Sequence, residues 1–219
     1  MIIWVILSWI ASVVVFLINP ASRIPIHWNI KGQADAFLPG WGIFAYSGMI
    51  TFLYILFSVV PFIDPAISGK SPEELGKTKK RIFTISSILL TILLFFQIIA
   101  SINALKPNSS IGKVAIPLAL ALFLVFIGNI LPTLSRNYFI GIRTPWTLSS
   151  DLVWDKTHRI GGYAFVLTGI ISLVLTILVE PGTAMLMEVV LIVALSLLLT
   201  VFSYIFWKRT PKEGAPADE

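Results

Sequence analysis

The chain is 219 residues long, 57% hydrophobic and only 12% charged, with 16 Lys and Arg against 11 Asp and Glu. Soluble domains carry roughly 25% charged residues, so a soluble fold built from this chain would lack the ionised groups to cover its surface; with a mean hydropathy of +0.91, the composition excludes a soluble globular domain, a disordered chain and an ordinary nucleic-acid binder, and points to an integral membrane protein. Cysteine is absent, which excludes disulfides, iron–sulfur clusters and cysteine-ligated zinc.

In chain order, the uncharged runs are 1–18, 41–63, 82–105, 114–135, 160–179 and 183–207, the last interrupted only by Glu188. Each is about 18–25 residues, and ~20 helical residues cross a ~30 Å hydrocarbon core. The runs are continuous rather than alternating, which argues for helices and against a β-barrel. The expected fold is therefore all-α, a polytopic membrane protein with six transmembrane helices. The first run has no basic segment before it, and Asn19-Pro20-Ala21-Ser22 is a poor cleavage site, so it reads as a retained helix. Residues 1–105 are expected to form a three-helix region with a loop at 19–40. Residues 106–207 form a second three-helix region with a loop at 132–162, and 208–219 form a tail.

Six spans place both termini on one side, and the basic residues say which. Lys70, Lys77, Lys79, Lys80, Arg81, Arg136, Arg143, Lys156, Arg159, Lys208, Arg209 and Lys212 fall on one side, twelve of the 16; Arg23, Lys31, Lys106 and Lys113 fall on the other. The termini are accordingly expected in the cytoplasm, with 19–40 outside and 132–162 inside. This asymmetry accounts for the net charge of +5 without nucleic acid.

Polar residues within the spans are few. Ala164, Thr168, Ser172 and Thr176 recur every four residues on one helical face, with Gly161, Gly162 and Gly169 nearby, as at a close helix–helix seam. Gln97 and Asn129 are isolated. Glu188, about one turn into the last run, reads either as a buried proton or ligand site or as an interfacial carboxylate paired with a residue such as Lys113.

The outer loop contains Pro25, His27, Trp28, Asn29, Gly32 and Asp35. Pro25 favours an extended approach, 29–32 resembles a turn, and Asp35 is placed to pair with Arg23 or Lys31. The inner loop carries Arg136, Asn137, Gly141, Arg143, Thr144, Pro145, Trp146, Trp154, His158 and Arg159. Ser149 or Ser150 can cap a short helix with Asp151 in its first turn, amphipathic enough to lie on the membrane. Arg136 and Arg143 can hold a carboxylate or lipid phosphate, or pair with Asp151 or Asp155 in a packed cap. His27 and His158 fall on opposite sides and cannot share a site. Each is alone, with no carboxylate cluster, so no metal or other cofactor is expected. No catalytic triad, phosphate-binding glycine loop or zinc motif is present, and Asn108-Ser109-Ser110 matches a glycosylation acceptor only formally.

Gly128-Asn129, Arg136-Asn137, the run Gly141-Ile142-Arg143-Thr144-Pro145-Trp146-Thr147-Leu148, Trp154 and Thr157-His158-Arg159 with Gly161-Gly162 together resemble the signature of the SdpI family. The segment 24–29 with Gly32 and Asp35 resembles a membrane domain of unknown function that often precedes it. The resemblance implies a multi-pass protein of the bacterial plasma membrane, without enzymatic activity, that confers immunity to a secreted antibacterial toxin on the outer side. It also implies signal transduction, in which a cytoplasmic repressor is held at the membrane. By that resemblance the outer-loop residues shape a recognition or structural site, and Asn129 with the inner-loop residues forms a second. Membrane lipids are the remaining partner; no direct nucleic-acid contact is expected.

Two other readings stay open. A small-solute or lipid transporter needs a polar path and a broken helix, for which Asn129, Pro132 and Glu188 are candidates, although the halves show no repeat. A membrane enzyme acting on an anionic lipid or peptide would use Arg136, Arg143, Asp155 and His158.

Overall fold

A computed structural model describes residues 1–29, 31–68, 71–107, 109 and 111–210. Lys70, Lys212, Asn108 and Ser110, and with them part of the tail and of the acceptor pattern, lie outside the described residues. The elements in chain order are α1 (Ile2–Ile18), a hairpin of β1 (Arg23–Trp28) and β2 (Ala34–Pro39), α2 (Ile43–Ile63), α3 (Pro65–Ser68), α4 (Pro72–Leu105), α5 (Ile111–Ile130), α6 (Pro145–Ser149), α7 (Asp151–Leu178) and α8 (Pro181–Arg209). The described residues form a helical bundle, and among them the two-stranded hairpin is the exception to its helical character.

Among the described residues, five helices are long and apolar enough to cross a membrane: Gly40–Ile63, Pro72–Leu105, Ile111–Thr133, Asp151–Leu178 and Pro181–Arg209. α1 has 17 residues, about 25 Å at the helical rise. The lipid-facing sides of the bundle carry Phe52, Leu167, Ile177 and Leu197, all exposed, as expected where the surrounding solvent is hydrocarbon.

The helix ends follow from local chemistry. α4 begins at Ser71, whose hydroxyl accepts from the Glu74 N–H at 3.4 Å, with Pro72 in the first turn and Glu73 and Glu74 beside the positive end of the helix dipole. Lys77 pairs with Glu73 one turn back at 2.6 Å. These features carry the helix well past its uncharged run, to 34 residues. α7 starts at Ser150, which accepts from the Val153 N–H. The charged segment 151–159 then continues without a break into the apolar segment, so the separate membrane-surface helix expected here is instead the first turns of one 28-residue helix. No proline or cap interrupts it at 160, and Gly161 and Gly162 are held inside by Leu131, Ile142 and Pro132. α8 is capped by Glu180, which accepts from the Gly182 and Thr183 N–H groups at 3.0 and 3.1 Å. The Gly182 N–H, then that of Thr183, holds this carboxyl below the usual carboxylate range.

Two sets of contacts build the interior. α5 lies along α7, where an added Cβ at Gly128 would stand 2.7 Å from the Gly162 carbonyl oxygen and one at Gly169 2.7 Å from that of Ala121. Backbone touches backbone, the geometry that small residues permit between membrane helices. Thr168 and Ser172 are buried, in keeping with the seam expected from their spacing.

α1, α2 and α4 are pinned together by a buried polar knot. Gln97 donates through Nε2 to the Ser8 carbonyl and to Ser12 Oγ, both at 2.9 Å, and accepts from Ser8 Oγ. Ser47 of α2 bonds Ser8 at 2.8 Å and Ser12 at 2.7 Å, and Ser12 also donates to the Ile43 carbonyl at 3.1 Å. All four side chains are buried. Ser8 and Ser12 are one turn apart, so both face the same partner. Replacing Gln97 by Leu is expected to lower stability by about 1–2 kcal/mol, the upper part of the range for hydrogen bonds between membrane helices. It should also speed amide exchange in α1 more than in α7, measured by hydrogen–deuterium exchange in detergent; uniform exchange rates would show that the knot does not hold α1.

Candidate functional site

The two motif-bearing segments lie at opposite ends of the bundle. The hairpin sits over the α4–α5 connection; the segment between α5 and α7 sits by the α2–α4 connection. They are called the hairpin end and the loop end.

At the hairpin end, β1 and β2 pair antiparallel. Pro25 is buried, and its carbonyl accepts from Tyr46 Oη of α2 at 2.7 Å, which ties the hairpin down. Asn29 organises the turn: its Oδ1 accepts from the N–H groups of Lys31 and Gln33, and its carbonyl accepts from the Gly32 N–H at 2.8 Å. Gly32 has φ +65, and an added Cβ would lie 2.6 Å from Lys113 Cα, so both conformation and space require glycine. Trp28 is half-buried with its indole nitrogen against Gly112.

The expected pairing of Asp35 with Arg23 or Lys31 is replaced by another. Asp35 Oδ1 lies 2.6 Å from His27 Nδ1, while Arg23 stacks over the Phe37 ring, 4.4 Å from its centroid. Between the hairpin and the ends of α4 and α5 is a cavity of about 560 Å³ whose walls include Ser22, Arg23, Trp28, Gly32, Asn103 and Lys113. Ser22 is 6% exposed, and its hydroxyl has no hydrogen-bond partner among the described residues.

At the loop end, the sequence run from Asn137 to Thr147 folds by satisfying its own backbone. Buried Asn137 uses its whole amide: Nδ2 donates to the Ser135 and Ile140 carbonyls, and Oδ1 accepts from the Phe139 and Ile140 N–H groups, all between 2.7 and 3.0 Å. Gly141 has φ +120, and His158 leaves no room for a side chain there. Thr144 and Thr147 form a reciprocal capping box around Pro145 at the first position of α6. Thr144 Oγ1 also reaches Ser203 of α8 at 3.0 Å, and Trp146 packs on Tyr204 with ring centroids 5.1 Å apart. The Thr144-Pro145-Trp146-Thr147 run is thus a cap, a helix start and an anchor to α8.

His158 is 1% exposed and fully engaged. Nδ1 is 2.8 Å from the Trp154 carbonyl, and Nε2 accepts from the Ile142 N–H at 3.0 Å. That bond fixes the ring as the neutral Nδ1–H tautomer. Trp154 stacks on it at 3.9 Å and donates Nε1–H to the Leu134 carbonyl at 2.7 Å. Arg136 donates Nε–H to Asp151 at 2.7 Å and another N–H to the Leu148 carbonyl; exposed Arg143 donates to the Tyr138 carbonyl. A cavity of about 180 Å³ here is walled by Gly141 and apolar side chains, among them Ile85, Leu134 and Phe165.

The inner residues therefore do not converge as one site. Arg136, Asn137, Gly141, Arg143, Thr144, Trp146, Trp154 and His158 share one folded unit. Asn129 is exposed and, among the described residues, bonds the Val125 carbonyl of its own helix, and Arg159 and Asp155 are also exposed. Gly128 belongs to the α5–α7 seam. Glu188 does not meet Lys113: it is 1% exposed, and both carboxylate oxygens are without a partner among the described residues, while the Lys113 charge acts on Glu180. Among the described residues, no group of three His, Asp or Glu side chains stands close enough to hold a metal ion.

Sequence reading missed several participants. Asp64 is fully buried at the end of α2 and accepts from the Tyr138 N–H at 2.8 Å, joining the first half of the chain to the loop; its place just beyond an uncharged run was the available signal. Ser8, Ser12 and Ser47 went unremarked because serine in an apolar helix ordinarily bonds its own backbone.

Residues 133–206 match the SdpI/YfhL protein family. The chain is 28% identical over 208 residues, 95% of its own length and 94% of the other's, to the immunity protein SdpI of Bacillus subtilis (strain 168). No solved structure matches it.

Proposed function

We propose, from the premise that this is an SdpI-family membrane protein, that it lies in a bacterial plasma membrane with the hairpin end outside and protects its cell from a secreted antibacterial protein. The observation that carries this reading is the hairpin-end cavity. Its volume lies in the ~300–1,000 Å³ range of ligand pockets, and Arg23 and Lys113 in its walls give it positive charge. The loop end serves as the cytoplasmic platform for a repressor: a self-bonded scaffold presenting exposed Tyr138, Phe139 and Arg143. The reading is of a receptor rather than an enzyme, supported by the engagement of both His158 nitrogens and by the Arg136 bonds to Asp151 and the Leu148 carbonyl.

The test is survival of a toxin-sensitive bacterium expressing the chain. Wild type is expected to raise the lethal toxin dose, and Arg23→Ala with Lys113→Glu to cut that gain about tenfold or more, the equivalent of ~1.4 kcal/mol of lost binding. Membrane levels should be unchanged, and Lys77→Ala, at the far end of α4, should protect fully. A wild type that does not protect overturns the immunity reading; protection undiminished in the double variant overturns the cavity as the docking point. A second reading, a proton-coupled transporter, is favoured by the two unpartnered oxygens of Glu188. In its favour would be proteoliposome uptake that is lost in Glu188→Gln.

A further inference from the structure

The loop end carries a second feature that neither motif includes. On α7, Lys156, Arg159 and Ile160 lie three and four residues apart and share one face. On α8, Phe206 and Arg209 do the same. The two faces enclose a cleft of about 330 Å³ lined by these five side chains. The ion pairs among the described residues are His27–Asp35, Lys77–Glu73 and Arg136–Asp151, so no carboxylate of the described residues pairs with the three cations of the cleft. Asp151 is held by Arg136, and Asp155 makes no ion pair with Lys156 beside it or Arg159 one turn on.

Below the cations the cleft continues as hydrocarbon-facing surface. On α7, Ile160, Tyr163 and Leu167 follow at helical spacing and are exposed; on α8, Phe206 stacks on Phe202, with exposed Leu198 one turn further. Three cations at the end of two spans, with an apolar track leading into the membrane, match a phosphate joined to acyl chains better than a free anion. Arg136 and Arg143, which the sequence offered for phosphate, are instead bonded within the loop.

We propose that the α7–α8 cleft binds one anionic phospholipid, with its phosphate among Lys156, Arg159 and Arg209 and its chains along Ile160, Tyr163, Phe202 and Phe206. Guanidinium groups suit phosphate oxygens geometrically, and basic pockets between transmembrane helices are a known form of lipid headgroup recognition.

The full-length protein, purified in a neutral detergent, is titrated with phosphatidylglycerol, phosphatidylcholine and inorganic phosphate, reading retained lipid by native mass spectrometry and melting temperature in parallel. Phosphatidylglycerol is expected to be retained at one molecule per chain and to raise the melting temperature. Arg159→Gln with Arg209→Gln should weaken retention about 30-fold, at roughly fivefold per cation, with the melting temperature in lipid-free detergent unchanged. Lys80→Gln, distant from the cleft, should bind as wild type does. Equal retention of phosphatidylcholine, or undiminished retention by the double variant, overturns the proposal. Inorganic phosphate reproducing the whole thermal shift overturns it in favour of a simple anion site.

Discussion

Replacing Trp154 by Ala is expected to lower stability by about 3–5 kcal/mol, the range for truncating a buried aromatic side chain. Trp154 is fully buried among Ile85, Leu131 and Leu134, forms one wall of the His158 stack, and caps the Leu134 carbonyl through its indole N–H. Its loss opens a void beneath the loop and leaves that carbonyl unpaired, a further cost of about 1–3 kcal/mol if no water reaches it. Trp154→Phe separates the contributions: it keeps most of the packing and loses only the N–H, so its cost should be well under half. The check is thermal unfolding in one detergent for the three proteins. A Trp154→Ala variant within about 1 kcal/mol of wild type would show that the loop does not depend on this contact.

The second large effect is expected at the α5–α7 seam. A Cβ at Gly162 would sit 2.5 Å from Pro132 Cγ and 2.7 Å from the Gly128 carbonyl oxygen; one at Gly128 would meet the Gly162 carbonyl and the Val166 nitrogen, both at 2.7 Å. The obstacles include backbone and a proline ring, which cannot swing aside as a flexible side chain would. Gly162→Val should therefore reach or exceed the usual 1–3 kcal/mol for overpacking, and Gly128→Val should resemble it. Gly48→Ala is the control: nothing lies within 4 Å of the added methyl, and it should be neutral or stabilise α2 by up to ~1 kcal/mol. The readout is the melting temperature of each variant. Comparable losses at Gly48 and Gly162 would mean that helix propensity, not seam distance, governs the outcome.

The helical character and the apolar spans were legible because absence of charge over about 20 residues has one cheap explanation in a chain of this composition. The seam was legible for a similar reason: small residues four apart specify a face. What escaped was the purpose of single polar residues. Gln97 looked isolated because its partners, Ser8 and Ser12, are far off in sequence and Ser47 is on a third helix. Asp35 had two cations nearby in sequence, yet the irregular pairing of β1 with β2 brings His27 to it instead. Arg136 had two readings, a phosphate or carboxylate ligand group and a partner of Asp151, and the fold realises the second; Asn137 and His158 are spent on backbone carbonyls and N–H groups. Residue type told which groups need partners; only the fold tells whether the partner is internal.

The Gln97 knot also has a mechanical consequence. α4 is an unbroken rod that reaches both ends of the bundle, and the knot grips it off-centre. Gln97 lies eight residues from Leu105 but 25 from Pro72, about 12 Å against ~38 Å along the axis. With the knot as fulcrum, a sideways shift of 1 Å at the short arm under the hairpin swings the far end of the long arm at Pro72 by about 3 Å, and Thr78, which faces Ser135, by about 2.4 Å. Leverage of that ratio turns a displacement no larger than a side-chain adjustment at one end of the bundle into a shift of a large part of a side-chain length at the other.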